Sequence, residues 1–223
     1  MARKSGFLVA AVSLAALSAA IGLSLVWLAT EGLMTDRLRR ALHEGRSGKS
    51  FMESQALKGS PLAWYELVAA RNCVCSQPGI TSYHLLMALR EQWPEGYEEV
   101  PVSVKTAVLC GALDNLVFLN DWGHLGENGT HDSKAGAAML ELGEAALCPL
   151  RQLLDNTKEA PFFGSADATK ATLHKYRRAD FAYMYIMRIL GRRPRFLRDT
   201  RERDLLIASL KNELDTADSH RPG

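Results

Sequence analysis

Catalytic signatures are what this sequence most conspicuously lacks. It has no GxSxG, GxGxxG or HExxH, and no CxxC, CxxCH or Cys/His set at zinc-ligand spacing. Those absences argue against nucleophile-elbow hydrolases, Rossmann dinucleotide binders, zincins, zinc fingers and c-type haem proteins, and no cofactor is implied. The hexapeptide GRSGKS at 45–50 is not a phosphate loop, because GxxxxGK[ST] needs glycine at position 43, which is His43. Strand-like alternation is also missing, so the expected class is all-α. An excess of one charge is absent too: 27 Lys/Arg against 25 Asp/Glu leave a net charge of +2. That balance gives no reason to expect a nucleic-acid partner.

Cysteine is scarce, at four residues: Cys73, Cys75, Cys110 and Cys148. Cys110 and Cys148 fall in apolar helical runs and read as core thiols. Cys73 and Cys75 flank a single valine, too close for an easy mutual bridge. In an oxidising compartment the alternative is a disulfide from one of them to Cys110 or Cys148.

What is present begins at residues 7–30, 24 consecutive positions without a charge. As a helix they would cover roughly 36 Å, more than the roughly 30 Å hydrocarbon core of a bilayer. Arg3 and Lys4 precede the run, and Ser18-Ala19-Ala20 offers a signal-peptidase site. The apolar stretch continues through Leu23, Leu25, Val26, Trp27 and Leu28, which favours an uncleaved signal anchor over cleavage. The closer basic flank on the short side orients the carboxy-terminal part to the periplasmic or extracytoplasmic face.

The remaining chain is expected to divide into a charged stalk and flexible linker over 32–59, a helical globular domain over 60–217, and a short tail over 218–223. Ser60 and Pro61 read as a helix start, Thr81 as a second cap and Pro101 as the opening of a central helix apolar nearly all round. One long helix is expected from Asp167 to Gly191, and a last one from Asp199. Charge is unevenly spread: residues 47–169 hold 8 Lys/Arg against 15 Asp/Glu, whereas 170–203 hold 11 against 3. The two parts are expected to pack together, with anionic lipid as a further partner for the basic part.

Residues 134–156 combine an Ala-rich helix, a Leu-Gly turn and an Ala-x-x-x-Leu helix closing in Leu-Leu-Asp. That order resembles a single HEAT-type repeat over about 22 residues, without a second copy at a fixed period. The resemblance implies helix-hairpin packing and a protein-binding surface, and carries over no functional residue.

Three groups of side chains are candidates for function. The glycine-rich loop 120–132 holds Asn120, Asp121, His124, Glu127, His131 and Asp132, of which His124, His131, Asp121 and Asp132 are metal or acid/base candidates. Arg177 and Asp180 share a helix face at i,i+3 and are expected to form a structural ion pair. Phe162 and Phe163, adjacent in a loop, together with Arg192, Arg193 and Arg195, are the candidates for lipid or partner contact. The functional expectation is a membrane-anchored, non-catalytic protein-interaction module, with the membrane contacted through residues 7–30. The alternative is a membrane-anchored enzyme or metal-binding protein that uses the 120–132 loop.

Overall fold

Short helices linked by tight turns make up the computed structural model, which describes residues 33–51, 54, 56–57, 59–125 and 133–219. The first is α1 (Asp36–Arg46), opened by Thr35, whose hydroxyl accepts from the Leu38 N–H. Leu38, Ala41 and Gly45 recur at helical spacing on its buried face. At Gly45 a Cβ would lie 2.7 Å from the Thr81 carbonyl, so only glycine admits this approach. The segment expected to be a stalk is therefore packed into the domain. Its charges had masked a narrow apolar stripe.

Next come α2 (Trp64–Ser76), α3 (Tyr83–Gln92), α4 (Pro94–Glu98) and α5 (Val102–Asn115). Helix α2 starts later than Ser60 and Pro61 because the backbone ahead of it is held by Arg37. Arg37 Nε donates to the Ala56 carbonyl at 2.9 Å and Nη1 to that of Pro61 at 3.2 Å. Helix α3 is the centre of this half: Tyr83 to Leu89 are all buried, and α1, α2 and α5 pack around it. Half-buried Asp114 and exposed Asn115, at the end of α5, both find partners. Asn156 Nδ2 donates to Asp114 Oδ1 at 2.6 Å, and Asn115 Nδ2 to the Gly111 carbonyl at 2.9 Å.

The second half contains α6 (Lys134–Glu141), α7 (Leu147–Leu153), α8 (Ser165–His174), α9 (Arg178–Ile189) and α10 (Thr200–Ser219). Helices α6 and α7, joined by a 3-10 turn over Gly143–Ala146, lean chiefly on α9 rather than on each other. This departs from the antiparallel hairpin that the HEAT resemblance implied. The single helix expected from Asp167 to Gly191 is two, because Lys175 takes a left-handed conformation at φ 47°. Ala160 then donates to the Tyr176 carbonyl at 2.8 Å and Arg178 N–H to that of Lys158 at 3.1 Å. Backbone groups spent on this crossing strand segment are unavailable to a continuous helix.

Trp122 joins the halves. Fully buried, it stacks on Tyr83 (centroids 6.5 Å) and meets Tyr185 edge-on at 5.9 Å, while the Tyr185 hydroxyl donates to its carbonyl at 2.9 Å. The described residues are all-helical without a named strand, and one isolated bridge links Glu159 and Arg177. Among them no helix is long and apolar enough to cross a membrane. The apolar run 7–30 lies outside the described residues.

Candidate functional site

A 3-10 turn over Asn120–Trp122 follows α5, and it is fixed from the side. Asn120 Nδ2 donates to the Phe163 carbonyl at 3.0 Å and its Oδ1 accepts from the Phe163 N–H at 2.9 Å. Leu119 N–H also donates to the Pro161 carbonyl at 3.0 Å. The turn, the start of α6, the solvent end of α3 and the connection after α1 together frame a cavity of about 550 Å³. Phe51, Leu57 and Met87 give it apolar walls, and Glu91, Asp121, His124 and Asp167 contribute polar groups. That volume falls in the range of sites for small organic ligands or a few partner side chains.

The cavity's carboxylates are already engaged. Buried Asp121 accepts from the Tyr83 hydroxyl at 2.9 Å and from the Phe51 N–H. Burial pushes the Tyr83 phenol well above its ordinary pKa, and the neighbouring Asp121 charge and hydrogen bond add to the rise. The phenol therefore stays a donor, and Asp121 serves to lock α3 to the turn. His124 Nε2 lies 3.1 Å from Asp167 Oδ1, with its ring stacked on Phe162 at 5.2 Å. Its Nδ1 is buried and has no hydrogen-bond partner. Lys134 pairs with Glu91 at 2.5 Å.

Two members of the metal and acid/base set, Asp121 and His124, thus reach the same cavity. His131, Asp132 and Glu127 lie outside the described residues. Among the described residues, no group of three His, Cys, Asp or Glu side chains is placed to hold a metal ion. Tyr83, Glu91, Met87 and Asp167 were not singled out from the sequence as site residues. Tyr83, Met87 and Glu91 share one face of α3 at i, i+4 and i+8, whereas Asp167 comes from α8, and only the fold brings either to the 120–125 segment.

The four cysteines are free thiols. Cys73 and Cys110 are buried, and burial raises both, Cys110 to about 12, which leaves them protonated and unreactive. Cys75 is exposed, and so is Cys148, which corrects its reading as a core thiol. Phe162 is likewise not a surface contact: it is 4% exposed and packs on Tyr176 and Phe181. Phe163 is half-buried, edge-on to Phe118. A loop position did not mean exposure, because the loop itself folds over an aromatic cluster.

Away from the cavity, a buried ionic network ties α8, α9 and α10 together. Asp180 Oδ1 is 2.9 Å from Arg177 Nη2, and Asp180 Oδ2 accepts from the Arg177 N–H at 2.9 Å, capping α9. Arg203 also pairs with Asp180, and its Nη2 donates to the His174 carbonyl at 2.8 Å. Burial pulls the Arg203 guanidinium below its ordinary pKa against the opposing pull of Asp180. Arg178 Nη2 donates to the Leu116 carbonyl at 2.7 Å, closing the end of α5. At the surface, Arg192 pairs with Glu213, while Arg193 and Arg195 are exposed. The chain matches no protein-family model, no curated protein and no solved structure.

Proposed function

We propose that this chain is a membrane-anchored helical domain that binds a partner protein without chemistry of its own, and that the cavity beside Asp121 receives part of that partner. Residues 7–30 supply the anchor, and the domain lies on the extracytoplasmic side. The observation that carries the binding reading is the state of the cavity's polar groups. Asp121, Glu91 and Asp167 each already hold a hydrogen-bond or ion-pair partner within the chain. A recognition pocket needs shape, apolar walls and polar groups held in fixed orientations, and carboxylates already bonded within the chain supply that fixed orientation.

A photo-crosslinking residue in place of Phe51, which lines the cavity and is part-exposed, tests this in the full chain in its native membrane. The expected result is a discrete protein adduct that the same residue at Arg193, outside the cavity, does not form. Adducts that are identical from both positions, or none from position 51, would refute the cavity as the recognition site.

One observation favours a second reading. The His124–Asp167 pair at the cavity has the composition of an acid/base dyad, and the 120–132 loop continues to His131 and Asp132. Metal analysis of protein purified without chelator, wild type against His124→Ala/His131→Ala, separates the two. Stoichiometric metal lost in the variant supports the metal reading; two metal-free proteins remove it.

A further inference from the structure

The start of the fold places an aromatic patch beside the point where the chain comes from its apolar amino-terminal run. Thr30, the last residue of that run, and Thr35, the cap of α1, are five residue steps apart. Even fully extended, five steps reach at most roughly 18 Å. Helix α1 is not a free stalk, since Leu38 and Ala41 are completely buried in the domain. The body of the domain is therefore held close to whatever contains residues 7–30.

The α1 start is also tied to the α2 start. Thr35 Oγ1 donates to Glu66 Oε1 at 2.7 Å, and Glu66 Oε2 in turn accepts from the Ala63 N–H at 2.9 Å. Trp64 and Tyr65 are the first two residues of α2. They are 64% and 49% exposed, whereas the other aromatic rings among the described residues are largely packed inside. Trp64 meets Trp93 edge-on at 4.8 Å, and the Arg71 guanidinium lies 5.4 Å from the Trp93 ring centre. Arg39 and Arg40 are exposed in α1 and have no ion-pair partner among the described residues. Asp36 is the exposed carboxylate nearest them in sequence. Tryptophan and tyrosine at the headgroup level, with arginine near anionic lipid, are the chemistry that favours a bilayer interface.

We infer that Trp64, Tyr65 and Trp93 form a second membrane contact, docking the helical domain on the headgroup region of the bilayer that holds residues 7–30. This rests on the anchor reading proposed above. It goes beyond that reading by fixing which face of the domain turns to the lipid. Exposed tryptophan in a domain held so near a membrane gains from partial burial among headgroups, and the short reach from Thr30 limits the entropy lost on docking.

Tryptophan quenching by brominated lipid separates the two claims, with the full chain reconstituted in phosphatidylcholine–phosphatidylglycerol vesicles. The chain has four tryptophans, Trp27, Trp64, Trp93 and Trp122. Trp122 is fully buried, out of reach of the bromines, and adds the same unquenched background in every variant. Trp27→Phe leaves Trp64 and Trp93 as reporters of docking; Trp64→Phe/Trp93→Phe leaves Trp27 as the reporter of the anchor. The expected result is loss of emission to brominated lipid in both variants. In the Trp27→Phe protein the emission maximum should also shift to the blue on reconstitution, and added Trp64→Ser/Tyr65→Ser should relieve the quenching of Trp93. Quenching of Trp27 alone overturns docking and keeps the anchor. Quenching of Trp64 and Trp93 alone keeps a lipid contact for the patch and overturns the anchor. No quenching in either variant overturns both. Circular dichroism matching wild type confirms that each variant is folded.

Discussion

Asp180→Asn isolates the charge at the centre of the network joining α8, α9 and α10. The side chain is almost completely buried, and both Arg177 and Arg203 depend on it. Arg177 keeps a second ion pair, to Asp204 at 2.7 Å, on the exposed side. Arg203 does not: Asp180 is its one ion-pair partner among the described residues, and the carbonyls of His174 and Lys175 cannot neutralise it. Removing one member of a buried pair costs about 3–5 kcal/mol, because the remaining charge is stranded. Asparagine preserves shape and one acceptor, so the lower end, about 3 kcal/mol, is expected. For a chain of this size that corresponds to a fall in Tm of about 6–12 °C. Thermal unfolding of the full chain in mild detergent, followed by circular dichroism, measures it. Arg203→Met combined with Asp180→Leu should lose less than the sum of the two single changes, since both halves of the pair go together. A Tm loss under about 2 °C for Asp180→Asn, or simple additivity in the double variant, would show that the network does not hold the helices as argued.

Tyr83→Phe removes the phenol that donates to buried Asp121, and should cost about 1–3 kcal/mol in urea unfolding with little change in m-value. Gly45→Ala puts a methyl 2.7 Å from the Thr81 carbonyl and should destabilise by about 1–3 kcal/mol, where an ordinary exposed Gly→Ala change in a helix would stabilise. His84 is fully buried with Nε2 2.9 Å from the Lys49 carbonyl, and burial lowers its pKa below the ordinary 6.5, with Glu44 and Asp121 opposing. The unfolded chain therefore takes up the proton first as pH falls. His84's contribution to stability is complete above about pH 6.5 and declines below it until the folded protein also protonates. Unfolding midpoints measured across that range should slope downward toward acid, and His84→Gln should flatten the slope; an unchanged slope would exonerate His84.

Helices with strong periodicity were legible from the chain itself. The apolar run from Val104 to Leu119 announced α5, although the helix ends at Asn115, and Tyr83 to Leu89 announced α3, because a helix buried on several faces leaves few polar interruptions. What could not be read was set by partners distant in sequence. Nothing near Lys175 marks a helix end: no glycine or proline stands there. The break follows from the Ala160 and Arg178 hydrogen bonds across it and from Arg203 reaching the His174 and Lys175 carbonyls. Phe162 looked exposed because its neighbours are loop residues, yet Tyr176 and Phe181, brought in by α9, enclose it. In α1 the signal was present, with Leu38, Ala41 and Gly45 at i, i+3 and i+7. The surrounding arginines made it read as a solvated stalk. Within the site, the 120–132 loop pointed to Asp121 and His124, while Tyr83, Glu91 and Asp167 required the fold to bring them there.

The cavity and the proposed lipid-facing patch are not independent of one another, since both are built on the last turn of α3. Met87, Glu91 and Gln92 line the cavity, and Trp93 is the next residue. Gln92 also ties the two directly, because its Oε1 accepts from the Leu62 N–H at 2.7 Å, two residues before Trp64. Docking of Trp64 and Trp93 on headgroups would therefore bring this end of the cavity toward the membrane surface. That restricts the partner: a segment reaching the cavity must lie near the bilayer, as the juxtamembrane part of another membrane protein does. It also gives the missing stalk a physical consequence. A domain on a long linker could sample partners far from the membrane, whereas one whose α1 is buried five residues after the proposed anchor could not. Insertion of a Gly/Ser linker between Thr30 and Thr35 should then leave the fold intact, free the aromatic patch from lipid, and weaken crosslinking from position 51. Retention of the full adduct at position 51 after that insertion would show that recognition does not depend on the membrane at all.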